Sequence, residues 1–220
     1  MIINKTNISI NHYLCYNYIE VFSLNKKLLN DQLLNYKLNL MLIHDTYSKN
    51  DQFINNKANL FVEKYNDYTK NKNKKISSIN HIYAEMVVSY SLLQSAITQM
   101  YHLFDQYIRL LFNIDYSIQD FKTVIKEIKK YNYNIKENTY FDLVNKYRLL
   151  NNAIKHGGLE ELGKEYPNFI NNDNDSNELG TILDNKLNIN SDDVDECCSC
   201  LFKYVEEMTN YLENTGYFDK

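Results

Sequence analysis

The sequence predicts an all-α protein: an antiparallel helical bundle with an N-terminal helical extension and a long loop before the last helix. Three observations support this fold class. The 220 residues include one proline and five glycines, well below average usage, so helices can run long. Hydrophobic residues make up 44% of the chain, which is enough for a core. Apolar residues also recur at spacings of three and four over several long stretches, and this is the helical period.

Residues 1–78 are predicted to form the N-terminal helical arm. Apolar residues over 19–44 predict one helix, and a weaker pattern over 51–68 predicts a second. The run TKNKNKKISS at 69–78 is charged and contains no apolar period, which is typical of a loop. We therefore place a boundary in this run and expect the main domain to occupy residues 79–214.

The clearest pattern predicts one long helix over residues 79–113. Its apolar positions form a continuous seam on one face. The seam comprises Met86, Tyr90, Leu93, Ile97, Met100, Phe104, Tyr107 and Leu111. A polar line on the opposite face comprises Gln99, His102, Gln106 and Arg109. This line either borders a ligand cleft or is simply the solvent face of the helix.

Three shorter signals place the remaining elements. SIQD at 117–120 and TYFD at 139–142 are similar to capping boxes, so a helix is expected to start at each. The second of these helices is expected to end at Gly157, where a left-handed residue is favoured. A long loop is predicted over 157–190, with a short β-hairpin in TILDNKLNI. The last helix is predicted to start at a Ser191 cap.

The charge distribution argues against binding to nucleic acid through bulk electrostatics. The formal net charge is -4, whereas such proteins usually carry a basic face. A local basic site remains compatible with the sequence. One stretch contains Lys122, Lys126, Lys129, Lys130 and Lys136.

The cysteines and the hydropathy pattern indicate a cytoplasmic protein without a metal or other cofactor. Cys197, Cys198 and Cys200 share about one helical turn, which is poor geometry for disulfides, so they either pack in the core or sense redox state. The acids of 192–196 either interact with the helix dipole or suggest a metal, and no zinc-ligand spacing is present. No window approaches a membrane span, and the N-terminus lacks a signal-peptide pattern.

A polar stripe lies along the helix predicted over 139–157. Arg148, Asn152 and His156 fall within an arc of about 80°, with Asn151 and Lys155 beside them. Such a surface offers a phosphate a guanidinium, amide donors, an ammonium and an imidazole. An ordinary helix end explains the same residues, since the macrodipole favours cations in the last turn by about 0.3–1 kcal/mol.

The length of the stripe bears on a catalytic interpretation. Arg148 and His156 are separated by roughly 12 Å along the helix axis, too far to hold one phosphate together within a single chain. Two copies of the helix related by a two-fold axis could bring Arg148 of one chain near His156 of the other. A catalytic site of this kind therefore predicts a homodimer.

The segment YRLLNNAIKHGG at 147–158 resembles the signature helix of the HEPN superfamily, in which an arginine, a polar residue and a histidine precede a glycine. The long helix containing SYSLLQSAITQMYHLFDQYIRLLF and the closing helix DDVDECCSCLFKYVEEMTNYL follow the family's order. The resemblance covers roughly residues 79–214 and implies an HEPN-like helical bundle.

The resemblance implies a metal-independent endoribonuclease that acts on RNA as a homodimer, in bacterial defence or in a toxin–antitoxin pair. It implies that His156 transfers a proton, that Arg148 stabilises the developing charge and that Asn152 orients the histidine or the phosphate. An antitoxin or another defence protein is the expected partner. Asn151, Lys155, His102 and Arg109 are expected to contact the substrate.

The sequence departs from the family's motif in one respect. Seven residues separate Arg148 from His156, more than the motif leaves, and Asn151 stands where a shorter gap would place the arginine. Either Arg148 acts from one turn earlier, or the domain is a catalytically inactive HEPN-like module that binds RNA, a nucleotide or a protein partner. A plain helical interaction protein is the third alternative.

Overall fold

The computed structural model describes residues 26–48, 51–71, 81–118, 120–170 and 187–217, and these ranges form an all-α bundle, as predicted. The α-helices of these ranges are α1 (Lys26–Ser48), α2 (Asp51–Asn71), α3 (His81–Leu111), α4 (Phe121–Lys129), α5 (Phe141–His156), α6 (Leu159–Glu165) and α7 (Ser191–Asn214). Short 3-10 helices lie at Ile135–Glu137 and Pro167–Phe169. No helix in the described ranges is long and apolar enough to cross a membrane.

The long helix α3 is the centre of the bundle, because α1, α2, α5 and α7 all pack against it. Its predicted apolar seam is confirmed from Tyr90 onward. Ile97 and Met100 are fully buried, and the ring of Phe104 meets Tyr204 of α7 edge-on at 5.4 Å between centroids. Burial of each such side chain stabilises the fold by about 1.5–3 kcal/mol. The side chain of Met86 lies outside the described residues.

Helix α1 contributes to the same core, although not through its most leucine-rich face. Tyr36 and Leu40 are buried, and the Tyr36 hydroxyl donates to the carbonyl of Leu201 at 3.3 Å. The opposite face exposes large apolar side chains, namely Leu34, Leu38, Met41 and Leu42. The predicted boundary at residue 78 lies outside the described residues and stays a prediction, whereas 69–71 belong to α2 rather than to the predicted loop.

Helices α4 and α5 begin later than the capping-box patterns indicated. Asp120, not Ser117, caps α4, because its carboxylate accepts from the backbone N–H groups of Lys122 and Thr123. Helix α5 follows Tyr140 without a side-chain cap. The backbone N–H of Thr139 instead donates to Glu207 of α7. Both patterns located a helix, and both placed its first turn too early.

The segment after α5 is more ordered than predicted. The long loop expected over 157–190 contains α6 and the 3-10 helix Pro167–Phe169. Leu187 forms an isolated antiparallel bridge with Ile170, and Asn188 and Ile189 follow it without regular secondary structure. Residues 181–186 of the hairpin predicted in TILDNKLNI lie outside the described residues. Leu162 of α6 is fully buried, so this short helix is anchored to the core.

Helix α7 closes the bundle, and its start is shifted by one residue from the prediction. Asn190, not Ser191, is the cap. Its side chain accepts from the backbone N–H of Asp193, and the Asp193 carboxylate accepts from the backbone N–H of Asn190. This reciprocal pairing satisfies two of the free N–H groups of the first turn. Of the acids at this end, Asp193 acts in helix capping, whereas Asp195 is bonded to His44 and Glu196 to Lys146. Their interaction with the helix dipole stays a prediction.

Candidate functional site

Helix α5 carries the polar stripe and ends as predicted. Gly157 has φ 70°, and its N–H donates to the carbonyl of Ala153 at 2.9 Å. A residue with a Cβ pays about 1–2 kcal/mol for this left-handed backbone. Gly158 then leads directly into α6, which packs against α5. The chain reversal at the two glycines places α6 along the polar stripe.

A cleft of about 670 Å³ lies between α3, α5, α6 and the first residue of α4. Every residue predicted for the site lines it: His102, Arg109, Arg148, Asn151, Asn152, Lys155 and His156. Helices α3 and α5 pack together, which brings the polar line of one beside the polar stripe of the other. We call this space the cleft.

Several other cleft residues were missed by the sequence analysis. They are Tyr101, Asp105, Phe121, Gly158, Glu160, Glu161 and Lys164. The residues of α6 were missed because their segment was predicted as loop. The sequence position of Phe121 gives no sign that its side chain reaches α5.

Three contacts hold Arg148 against the cleft wall. Its Nε donates to Asn145 Oδ1 at 2.9 Å, and one terminal nitrogen lies 3.8 Å from a carboxylate oxygen of Glu161. The guanidinium carbon also lies 4.7 Å from the ring centroid of Phe121, within the range of a cation–π contact. The side chain is only 16% exposed. Arg148 is therefore ordered before any ligand arrives.

The floor of the cleft is polar and largely closed to solvent. Asn151 is 5% exposed, and its Oδ1 has no hydrogen-bond partner among the described residues. Tyr101 also lines the cleft and is 8% exposed. Burial, helped by the Asp105 carboxylate, raises the pKa of Tyr101, although Arg148 and Arg109 act in the opposite direction. The hydroxyl therefore stays protonated at neutral pH.

An unpaired buried acceptor is unusual. Leaving such a group without a partner costs about 1–3 kcal/mol, and buried polar groups in native proteins are nearly always bonded. Asn151 lines the cleft, so a ligand that enters it can supply the missing donor. Helix packing alone gives no reason for an amide at this position.

The rim of the cleft carries the exposed polar groups. His102, Lys155 and His156 are exposed, and Asn152 is partly exposed. The Nε2 atom of His102 lies 2.9 Å from the Gln106 amide nitrogen. The rim thus presents two imidazoles and an ammonium to solvent.

Arg109 differs from its neighbours on the polar line. It is 7% exposed, so the solvent-face interpretation is wrong for this residue. Its Nε donates to Asp105 at 2.7 Å, and one terminal nitrogen donates to the carbonyls of Asp115 and Ile118. Arg109 therefore stabilises the segment that connects α3 to α4. Its predicted contact with a substrate stays a prediction.

A second polar cluster involves Tyr147 and Lys146, which lie about 100° and about 200° around α5 from Arg148. The Tyr147 hydroxyl donates to Glu196 Oε2 of α7 at 2.7 Å, and Lys146 donates to the same oxygen. Burial alone would raise the pKa of Glu196, but the bonds from Lys146 and Tyr147 outweigh it and lower that pKa. We call Lys146, Tyr147 and Glu196 the closed cluster, since each of the three is bonded to another member.

The cysteines of α7 serve packing. Cys197 and Cys200 are buried, and burial raises the pKa of both thiols, that of Cys200 to about 12. A protonated, enclosed thiol is a poor nucleophile and a poor redox sensor. Within the described ranges, no group of three or more His, Cys, Asp or Glu side chains is arranged to hold a metal ion.

Comparison with protein-family models, with curated proteins and with solved structures gives no match. The residues of the cleft are therefore the basis for inferring a function.

Proposed function

We propose that the protein binds RNA in the cleft and cleaves it without a metal ion, as an HEPN-type endoribonuclease. The observation that carries this proposal is that Arg148, Asn152 and His156, chosen from the sequence, line one cleft together with His102. If these residues were only an ordinary helix end, they would not need to line a cleft. A cleft with a guanidinium wall, a polar floor and imidazoles at its rim suits a phosphodiester.

The proposed chemistry needs only side chains of this type. The ribose 2′-oxygen attacks the adjacent phosphorus and loses its proton to His156, and the bond from phosphorus to the 5′-oxygen breaks. The leaving oxygen takes a proton from His102 or from water. Arg148 stabilises the charge on the phosphoryl oxygens, and Asn152 orients the imidazole or the phosphate.

The active form is proposed to be a homodimer in the cytoplasm. Arg148 and His156 are separated by roughly 12 Å along α5, so the arginine of one chain would meet the histidine of the other. The biological setting is proposed to be bacterial defence or a toxin–antitoxin pair, with an antitoxin as partner.

A second candidate is a catalytically inactive module that binds RNA or a nucleotide in the same cleft. The contacts of Arg148 favour it, because Asn145, Glu161 and Phe121 already hold the guanidinium. The enzyme and the module share the ligand class, and they differ in whether the bound RNA is then cleaved.

The two are separated by incubating the purified protein with single-stranded RNA in the presence of a chelator. The enzyme releases fragments that end in a cyclic phosphate, and replacing the scissile ribose by deoxyribose abolishes cleavage because the attacking hydroxyl is gone. His156→Ala is expected to lower the cleavage rate at least 100-fold, on the scale of general acid–base catalysis.

His44→Ala is the matched control, since His44 is bonded to Asp195 on α7 and does not line the cleft. Binding without cleavage by the wild type supports the module. Absence of both binding and cleavage contradicts both candidates. Cleavage that His156→Ala leaves unchanged contradicts the assignment of the site.

A further inference from the structure

Helix α4 carries three lysines on one face. Lys122, Lys126 and Lys129 are exposed and lie within an arc of about 60° on the helix, over roughly 10 Å of its length. The opposite face is apolar and faces the core, where Val124 and Ile128 are buried. We call the three lysines the α4 lysine strip.

The charges of the strip are not balanced within the described part of the chain. None of its three ammonium groups forms an ion pair with a described residue, whereas the adjacent Lys130 pairs with Glu127. Glu127 stands next to Lys126 in sequence, but its carboxylate is the one paired with Lys130. The capping carboxylate of Asp120 interacts electrostatically with Lys122 without forming an ion pair, and it is bonded to Thr123 and to backbone N–H groups. In a chain of net charge -4, this is a local concentration of positive charge.

The strip starts at the edge of the cleft. Phe121 is the first residue of α4, lines the cleft and lies under the guanidinium of Arg148. Lys122 follows it directly, and the other two lysines lead away along the helix. The exposed lysines therefore begin one residue after a cleft residue and follow the outer face of α4.

We infer that the α4 lysine strip binds the phosphate backbone of an RNA strand that extends out of the cleft. This inference rests on the proposed function, because the cleft supplies the rest of the RNA site. Lysine ammonium groups contact phosphates without reading bases. The strip is therefore expected to raise the affinity for longer RNA strands without adding a preference for a base sequence.

An anionic membrane is the other surface that a lysine strip could meet, and the structure disfavours it. Helices that lie in a membrane interface insert an apolar face beside their lysines. The apolar face of α4 is used by the core, since Val124 and Ile128 are 4% and 2% exposed. A strand of phosphates needs only the exposed side.

The test compares RNA oligonucleotides of about 4 and about 16 nucleotides, the span of known single-strand site sizes. Fluorescence anisotropy measures the affinity of the full chain for each, at several salt concentrations. The variant carries Lys122→Gln, Lys126→Gln and Lys129→Gln. Its control carries Lys57→Gln, Lys64→Gln and Lys203→Gln, which remove the same charge from exposed positions on α2 and α7.

The strip variant is expected to lose roughly tenfold or more in affinity for the long RNA and to bind the short RNA normally. Its slope of log affinity against log salt is expected to fall by about 2, as three single-strand phosphate contacts imply. The control variant is expected to match the wild type with both lengths. Circular dichroism checks that both variants are folded.

Each contrary result has a distinct meaning. If the wild type binds the short RNA and the strip variant still binds the long RNA normally, the inference is wrong and the proposed function stands. If both triple variants lose the same affinity, bulk charge and not the strip is responsible, which also overturns the inference. If the wild type binds neither RNA, the proposed function is wrong, and so is the inference that the strip binds RNA.

Discussion

Helix α5 presents two polar clusters that differ in where their bonding partners come from. The closed cluster on one side joins Tyr147 and Lys146 to Glu196 of α7. The cleft side carries a buried amide oxygen of Asn151 that lacks a partner among the described residues, with His156 exposed at the rim. One side therefore stabilises the fold, and the other is available to a ligand.

The difference teaches that a polar residue on a helix has to be judged by its partners. In the sequence, Lys146 and Arg148 are equivalent cations two positions apart. In the structure, each cation contacts a carboxylate and an aromatic ring. The partners of Lys146 are Glu196 and Phe169, outside the cleft, whereas those of Arg148 are Glu161 and Phe121, which line the cleft with it. Changes on the two sides should have different consequences.

The largest expected effect is a loss of stability when a residue of the closed cluster is changed. Tyr147 is fully buried, so Tyr147→Ala leaves a cavity and also removes the bond to Glu196. We expect the free energy of unfolding to fall by about 3–5 kcal/mol, measured by urea denaturation. A loss below about 0.5 kcal/mol, typical of surface positions, would contradict the assigned packing.

The next effect separates stability from binding on the cleft side. Asn151→Leu replaces an amide that has no partner for its oxygen among the described residues by an apolar group of similar size. We expect the free energy of unfolding to stay the same or to rise by about 1 kcal/mol. RNA affinity should fall roughly tenfold, equivalent to about 1.4 kcal/mol, in an anisotropy titration.

The same substitution has an outcome that would refute this role. If Asn151→Leu lowers stability by more than about 2 kcal/mol and leaves RNA affinity unchanged, the amide has a partner inside the fold. Asn151 would then stabilise the fold, as the closed cluster does, and would not contribute to ligand binding in the cleft.

The smallest effect is a pH dependence of the closed cluster. The bonds from Lys146 and Tyr147 hold the pKa of Glu196 below its usual value, so Glu196 stabilises the fold at neutral pH. That contribution is lost as the pH falls below about 4.5 and the carboxylate takes up a proton. Since the side chain is 43% exposed, the change should be under about 1 kcal/mol.

Urea denaturation of the wild type and of Glu196→Gln, at neutral and at acid pH, measures this contribution. The wild type should lose more stability on acidification than the variant, since Asp120 and its hydrogen bonds respond equally in both. Equal losses would show that Glu196 does not carry the pH dependence.

The sequence predicted the elements whose cause is local. The apolar seam of α3 and the left-handed end of α5 at Gly157 follow from helical period and glycine conformation, and both are present. His102 and Arg109 of α3 and the cleft residues of α5 were also predicted, because a polar stripe is visible in one helix at a time, whereas Tyr101 and Asp105 of α3 were not.

Features that depend on contacts between distant segments were not predictable. The burial of Arg109 arises from carbonyls of the following connection, and the approach of Phe121 to Arg148 joins two helices. Helix α6 is short and contains a glycine, so its own sequence favours a loop. Its order comes from the burial of Leu162.

The central claim is that one side of α5 stabilises the fold and the other binds a ligand. It is tested most directly by removing one positive charge from each side. Arg148→Gln and Lys146→Gln each remove one positive charge, and RNA affinity is measured for both by anisotropy at the same salt concentration. We expect Arg148→Gln to weaken binding roughly 10- to 100-fold, the scale of a hydrogen bond to a charged group. Lys146→Gln is expected to change binding less than about twofold, the scale of a charge that makes no direct contact with the ligand, because Lys146 does not line the cleft. Equal losses in both variants, or a larger loss for Lys146→Gln, would contradict the assignment of the ligand site to the cleft.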